Sequence, residues 1–414
     1  MLKRAAGAIL LPVLMASCGL QMAAPRDLVL GLIVPLSGPG AARATEDLRG
    51  VQVAVDAANA VGGVQGRRVR LVTQDASTQE ATQGAVEALR AAGASVVMGT
   101  YSSQISIPAA HAAAAAGLVY WEAGAVADQV TGEGLRHVFR VGASGANLGH
   151  GSAVFTAEQL APRLHRAVTE LRVTVVEEHD AYGDSVAGAM IAEASRRGAV
   201  VAPTISYNAY RPDWPRVFEA VAASHPDVLV LASYVPDGVA FRREMLARSL
   251  RVGALIGTTM AECGPEFGAL LGDDAVGVFA SDRPTAGFNP SVLSAGARTA
   301  YDRLVSEYRV RFNTAPAEEA IASYSAAWAL LHHVLPGARS LDTAGIDAAA
   351  QSADLADGAL PNGAGLRFSR GPTDLGQNVR ASSVVWQWQG YRRSVTVWPP
   401  VLATADPTLV PLPR

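Results

Sequence analysis

Lysine is all but missing: Lys3 is the only one in 414 residues, and every other basic side chain apart from histidine is an arginine. A Walker-type phosphate loop needs Gly-Lys-Ser/Thr, which a lysine-free body cannot supply. The same lack excludes a Schiff-base lysine. Cysteine is nearly absent too, with only Cys18 and Cys263, so neither a disulfide framework nor a cysteine-rich metal site can be built. Charge is sparse at 17% of residues and almost balanced at −3, which argues against the basic face of a nucleic-acid binder. Beyond the N-terminus no run reaches ~18 consecutive apolar residues, so nothing there should cross a bilayer. Catalytic signatures fail as well. There is no Gly-x-Ser-x-Gly elbow and no His-Glu-x-x-His, and both Gly132-Glu-Gly134 and Gly363-Ala-Gly365 lack the last glycine of a dinucleotide loop. What is present is a chain that is 50% hydrophobic, able to bury a large core and long enough for two or three domains.

The N-terminus reads as an export signal. Met1-Leu2-Lys3-Arg4 is basic, and Ala5 to Leu14 is apolar but too short to span a membrane. It leads into Leu14-Met15-Ala16-Ser17-Cys18-Gly19, where small residues before a cysteine resemble a bacterial lipobox. On that reading residues 1–17 are removed, Cys18 carries lipid, and residues 18–27 are a tether. An ordinary signal peptide with an incidental cysteine is the alternative.

The body alternates strands and helices. Leu28 to Val34 is a continuous apolar run that ends at Pro35, as a strand covered on both faces should read. Leu48, Val51, Val55 and Ala58 then repeat at helical spacing until Gly62-Gly63. Strands at Val69 to Thr73, Val96 to Met98 and Leu118 to Trp121 continue a βα series. The pattern restarts with strands at Val173 to Val176, Val200 to Ile205, Val228 to Leu231, Ala254 to Ile256 and Val276 to Ala280. Helices are expected at 184–197, 214–223, 236–250, 291–312 and 318–335, then a hairpin of Val384 to Trp388 with Val395 to Trp398. Pro399 onward reads as an extended, unpacked tail. The fold class is α/β, two parallel-sheet lobes, and ligands of such sheets bind beyond the carboxyl ends of the strands.

Among scattered polar groups, His332-His333 point to different sides of one helix, Cys263 reads as an inert buried thiol, and Glu177-Glu178-His179-Asp180 reads as a solvated loop. No catalytic pair emerges, and the balance shifts from enzyme to binder.

The strand ends carry a resemblance. Pro35-Leu36-Ser37-Gly38-Pro39, Asn59 to Arg67 with Gln74-Asp75, Met98-Gly99-Thr100-Tyr101-Ser102-Ser103, Asp180-Ala-Tyr182-Gly183, Tyr207 to Trp214, Asp227 to Tyr234 and Gln387 to Pro399 occur in this order. Together they resemble the type I periplasmic binding proteins of the leucine/isoleucine/valine-binding and amide/urea-binding branch. The resemblance implies two Rossmann-like lobes joined by three crossovers near Gly142, Ala280 and Leu366. Residues 28–142 and 281–366 would form the first lobe, 143–280 and 367–398 the second, and 399–414 the tail. It further implies a non-enzymatic protein without cofactor or metal, and the lipobox independently agrees, making the chain exported and lipid-anchored at a periplasmic or cell-surface membrane. Its partners would be a small solute and the permease and ATPase subunits of an ABC-type importer. A sensory binding protein reporting to a membrane receptor is the other class on this fold.

The implied ligand positions are Ser102 and Ser103 at a helix start, Gly124 through its backbone, and Tyr182 and Tyr234 in the second lobe. Three departures stand beside them. Val126 replaces a hydroxyl residue, Thr259 stands where the branched-chain binders hold a ligand ammonium with a glutamate, and Arg43 replaces a tyrosine. A missing carboxylate and an added guanidinium favour a carboxylate- or amide-bearing solute over a simple branched-chain amino acid. Glu122 or Glu262 would restore the amino-acid reading if either faced the ligand.

Overall fold

The computed structural model describes residues 26–38, 40–259, 264–284 and 287–413; Cys18, Glu262 and Cys263 lie outside them. The first lobe opens with β1 (Leu28–Val34), every residue of which is buried, and continues through α1 (Ala41–Ala60), β2 (Val69–Asp75), α2 (Ala81–Ala91), β3 (Ala94–Gly99) and α3 (Ser103–Ala115). It closes its sheet with β4 (Val119–Glu122), a one-turn α4 (Gln129–Gly132) and β5 (Val138–Arg140). The order β2-β1-β3-β4-β5 is parallel throughout, with Leu28 opposite Val69 and Val96 opposite Val119. Continuous apolar strands demand cover on both faces, and two separate apolar clusters on this lobe provide it.

The second lobe begins at α5 (Gly145–Phe155), whose Ser144 and Asn147 form a reciprocal cap, and a π turn at 156–160 leads into α6 (Ala161–Arg163). There follow β6 (Arg172–Glu178), α7 (Ala181–Arg196), β7 (Val200–Val201), β8 (Ile205–Tyr207), α8 (Trp214–Ser224), β9 (Val228–Ala232), α9 (Val235–Ala247), β10 (Ala254–Thr258), α10 (Pro265–Leu271) and β11 (Phe279–Asp282). The chain returns to the first lobe with α11 (Ala295–Phe312), α12 (Glu318–Trp328) and α13 (Thr343–Ser352), then ends in the antiparallel pair β12 (Val384–Gly390) and β13 (Arg393–Trp398). Sheet order is β13-β12-β11-β10-β9-β6-β7, with β8 also on β6.

Several boundaries differ from the sequence reading, each for a packing reason. Helix α7 starts at Ala181, a turn early, because the Asp180 carboxylate accepts the Gly183 N–H at 2.8 Å. Glu177 and Glu178 are not in a solvated loop: β6 runs on to pair with β8, and both residues are buried. The helix from Glu318 changes to a π turn at 329–334, where His332 stacks on Trp328 at 3.7 Å between centroids. The third crossing does not fall near Leu366. Phe368 belongs to the first-lobe core, and Asn378 donates to the carbonyls of Val141 and Gly365, both at 2.9 Å. The chain joins the second lobe only at Val384. The second crossing falls at 282–283, close to Ala280: Asp282 still pairs with β12, whereas Arg283 meets Glu318 of the first lobe. The proline-rich tail is packed as well, with Leu402 buried and Leu412 N–H bonded to the Gly253 carbonyl at 2.9 Å.

Arg140 stitches the hinge. Its buried guanidinium donates to Gln377 Oε1 at 2.6 Å and to the Ala127 carbonyl at 2.5 Å, while Gln377 donates to the Gly142 carbonyl at 3.1 Å. The first and third crossing segments are therefore held side by side.

Candidate functional site

The first-lobe face is built where β3 and β4 end. Ser102 is the N-cap of α3, in extended backbone and with no side-chain capping bond, and the first N–H groups of the helix have no partner within it. Ser103 Oγ accepts the Ala127 N–H at 3.1 Å and keeps its own proton to donate. Gly124 fits because a Cβ there would lie 2.4 Å from the Thr100 carbonyl oxygen. Its N–H, however, is bonded to Glu122 and its carbonyl accepts from Arg283 at 2.5 Å.

Glu122 is fully buried and already spent. Its carboxylate accepts the N–H groups of Thr100, Gly124 and Ala125 at 3.0, 2.6 and 2.8 Å, the Tyr120 hydroxyl at 3.0 Å, and the Ser106 hydroxyl. Burial pushes its pKa up while these donors pull it back. The carboxylate shapes the strand-end loop, and the expectation that it holds a ligand ammonium is corrected: no lone pair is left for one.

Arg43 is likewise engaged. From α1 its guanidinium reaches Glu319 of α12 at 2.8 Å and, across the lobes, Glu266 of α10 at 2.5 Å. A Cβ on Gly264 would stand 1.5 Å from Nη2, so glycine there admits the approach. Burial opposes the charge, but Glu319 and Glu266 outweigh it and keep Arg43 protonated. The expected free guanidinium for an anionic solute is thus a bridge between lobes. Beside it opens an interlobe cleft of about 760 Å³, lined from the first lobe by Arg43, Glu46 and Glu318 and from the second by Glu266 and Trp386.

Sequence reading missed the groups around Arg43. Buried Arg283 pairs with Glu318, Nε to Oε1 at 2.7 Å. Both oxygens of Asp47 are buried without a hydrogen-bond partner; burial and Glu319 push its pKa up and Arg283 opposes them. The only hint was Glu318-Glu319 in the first turn of a helix, a favourable end for acids but an ordinary surface pattern too.

The second-lobe face is different. Tyr182 and Tyr234 meet edge to face at 5.4 Å. Tyr182 Oη donates to the Thr258 carbonyl at 2.5 Å, and Tyr234 Oη to Asp180 at 2.8 Å. Tyr234 also packs against the first-lobe core, so it reaches across. Val126 is buried with Leu148, Tyr182, Val186 and Ala232 in an apolar plug shared by both lobes. Thr259, at φ +24°, has a buried hydroxyl without a partner. Near them Glu178 has one buried oxygen with no partner, and burial together with Asp180 and Asp237 pushes its pKa up to about 8.

The structure therefore brings Ser102, Ser103, Gly124, Val126, Tyr182, Tyr234 and Thr259 to the facing strand ends, with Arg43 spanning them and Glu122 behind.

Comparison with known proteins gives this arrangement a context. A family model described as periplasmic binding protein matches residues 27–385. A Leu/Ile/Val-binding protein homologue of Brucella abortus is 30% identical over 386 residues, covering 92% of this chain and 93% of its own. A leucine-binding protein of Thermotoga maritima superposes with a TM-score of 0.75 at 18% identity, over 92% of this chain and 99% of that one. A solute-binding protein from R. palustris in complex with benzoate superposes at 0.72 with 18% identity, over 92% and 98%. The chain belongs to the periplasmic binding protein family, and its two lobes have the type I fold.

Proposed function

We propose that the chain is the solute-binding component of an ABC-type importer, exported, anchored through lipid on Cys18, and closing its lobes on one small polar solute such as an amino acid, an amide or a carboxylate. The observation that carries this reading is a pair of unlike strand-end surfaces, one on each lobe: the open start of α3 at Ser102-Ser103 and the Tyr182–Tyr234 pair, the latter joined to the first lobe where Val126 packs with Tyr182. A helix start offers N–H groups to a carboxyl or carbonyl oxygen. Aromatic rings offer an apolar wall with polar rims. A hinge of three segments, two of them stitched by Arg140 and Gln377, lets the faces part and meet as rigid bodies.

The engagement of Arg43 by Glu266 and Glu319 removes the argument for an obligate anion, so amino acids return to the candidate solutes. Tethering by Cys18 fits delivery, since an anchored receptor has a high effective concentration near a permease. The test is ligand-dependent melting against amino acids, short amides, urea and aliphatic or aromatic carboxylates. A bound solute at 100 times its Kd adds about 2.7 kcal/mol, read as a raised Tm. Metabolic labelling with a radiolabelled fatty acid, lost in Cys18→Ala, checks the anchor. No shift with any member of the panel contradicts capture of this class of solute.

A further inference from the structure

Resting on the reading of solute capture, the second-lobe face also indicates which chemical group it recognises. Glu178 at the end of β6, Asp180 at the cap of α7 and Asp237 in the first turn of α9 gather there, and among the described residues none of the three makes an ion pair. Asp180 is bonded by the Gly183 N–H and the Tyr234 hydroxyl, and Asp237 by the Tyr207 hydroxyl at 2.8 Å. Glu178 is the exception. The residue is only 5% exposed, and one of its oxygens is buried with nothing to accept from. The edge-to-face rings of Tyr182 and Tyr234 stand beside the same strand ends.

A buried carboxylate without a donor is costly, and so is one beside like charges. A cation placed there satisfies the carboxylate and gains the attraction of neighbouring ring faces. An anion is repelled there, and a neutral donor can bond the oxygen but leaves the charge of the cluster uncompensated. We propose that Glu178, with Asp180, Asp237 and the rings of Tyr182 and Tyr234, receives the ammonium group of the solute. The acceptor then comes from β6 rather than from the segment after β10, where Thr259 stands.

Receiving a cation at pH 7 requires Glu178 to give up a proton, since burial, Asp180 and Asp237 push its pKa up to about 8. Glu177 and His179 on the same strand end, Asp184 on α7 and Tyr207 on β8 are the other titratable groups that act on this cluster. Calorimetry in buffers of different ionisation heat reads that release.

The probes are L-leucine and L-phenylalanine, their decarboxylated amines 3-methylbutylamine and 2-phenylethylamine, and their deaminated acids 4-methylpentanoate and 3-phenylpropanoate. The expected result is binding of amine-bearing probes at least tenfold tighter than of the deaminated acids, with proton release. In Glu178→Gln that gap closes, and in Asp237→Asn it narrows in the same direction. Equal binding of amines and acids, or a gap unchanged in both variants, overturns the proposal and leaves solute capture standing. Silence from all six probes and from the wider solute panel overturns capture and the proposal together.

Discussion

The two faces that meet across the cleft treat buried carboxylates in opposite ways. On the first lobe most buried acids have been answered: Glu122 by three backbone N–H groups and two hydroxyls, Glu318 by Arg283, Glu319 by Arg43. Asp47 is the exception: it lacks a hydrogen bond, and burial and Glu319 hold its pKa up against the opposing charge of Arg283. On the second lobe Glu178, Asp180 and Asp237 share a strand-end surface with tyrosines and no arginine partner. Asp47 apart, the first face is a scaffold whose charges hold loops in place. The second is electrostatically unfinished, which is the state expected of a surface that completes itself on a ligand.

That contrast can be broken most forcefully at Arg283. Arg283→Met leaves Glu318 buried beside Asp47 without compensation, and the expected loss is about 3–5 kcal/mol in urea unfolding. A loss below about 1 kcal/mol would mean that the first-lobe charges are not held as pairs. Glu122→Gln comes next. It keeps the shape but turns one acceptor oxygen into a donor facing backbone N–H groups, and about 2–3 kcal/mol should go, again in urea unfolding.

Glu178→Gln should act in the other direction. The folded-state pKa of Glu178 is raised to about 8, far above its unfolded value near 4.5, so the folded protein binds the extra proton. The stability of the ligand-free protein should therefore fall as pH rises from about 5 through 8, by at most about 1.4 kcal/mol per pH unit for one proton. The variant flattens this slope and is the more stable protein at pH 8, which a pair of melting curves at pH 5 and 8 will show. The smallest effect belongs to Glu266→Gln. Glu266 is half exposed, so cutting its bond to Arg43 should cost under about 1 kcal/mol in global stability. Its consequence should appear instead as a weaker hold between lobes, seen as faster amide exchange at the start of α10.

Much of the fold was legible because buried strands such as β1 and β9 are unbroken apolar runs that end at turn residues. The placement of the candidate residues at strand ends was legible for the same reason, since parallel strands expose their carboxyl ends together. The chemistry was less so. Arg43 and Glu319 are 276 positions apart and meet only after α1 and α12 pack. Glu122 looked like a spare carboxylate, because nothing in a sequence tells how many N–H groups a loop will turn inward. The crossing after Asn378 and the packed tail were hidden similarly: Phe368 stands between Arg367 and Ser369, Leu402 follows two prolines in a stretch without periodic pattern, and only tertiary contact makes them core.

The most direct test is whether the faces close on a solute. Spin labels at Val310 on α11 and Tyr210 after β8, both strongly exposed and on different lobes, report the separation by pulsed dipolar spectroscopy. Adding the tightest-binding member of the solute panel should shift the distance distribution to a shorter, narrower peak, and Glu266→Gln should broaden the ligand-free distribution. A distribution unchanged at saturating solute would contradict closure as the means of capture.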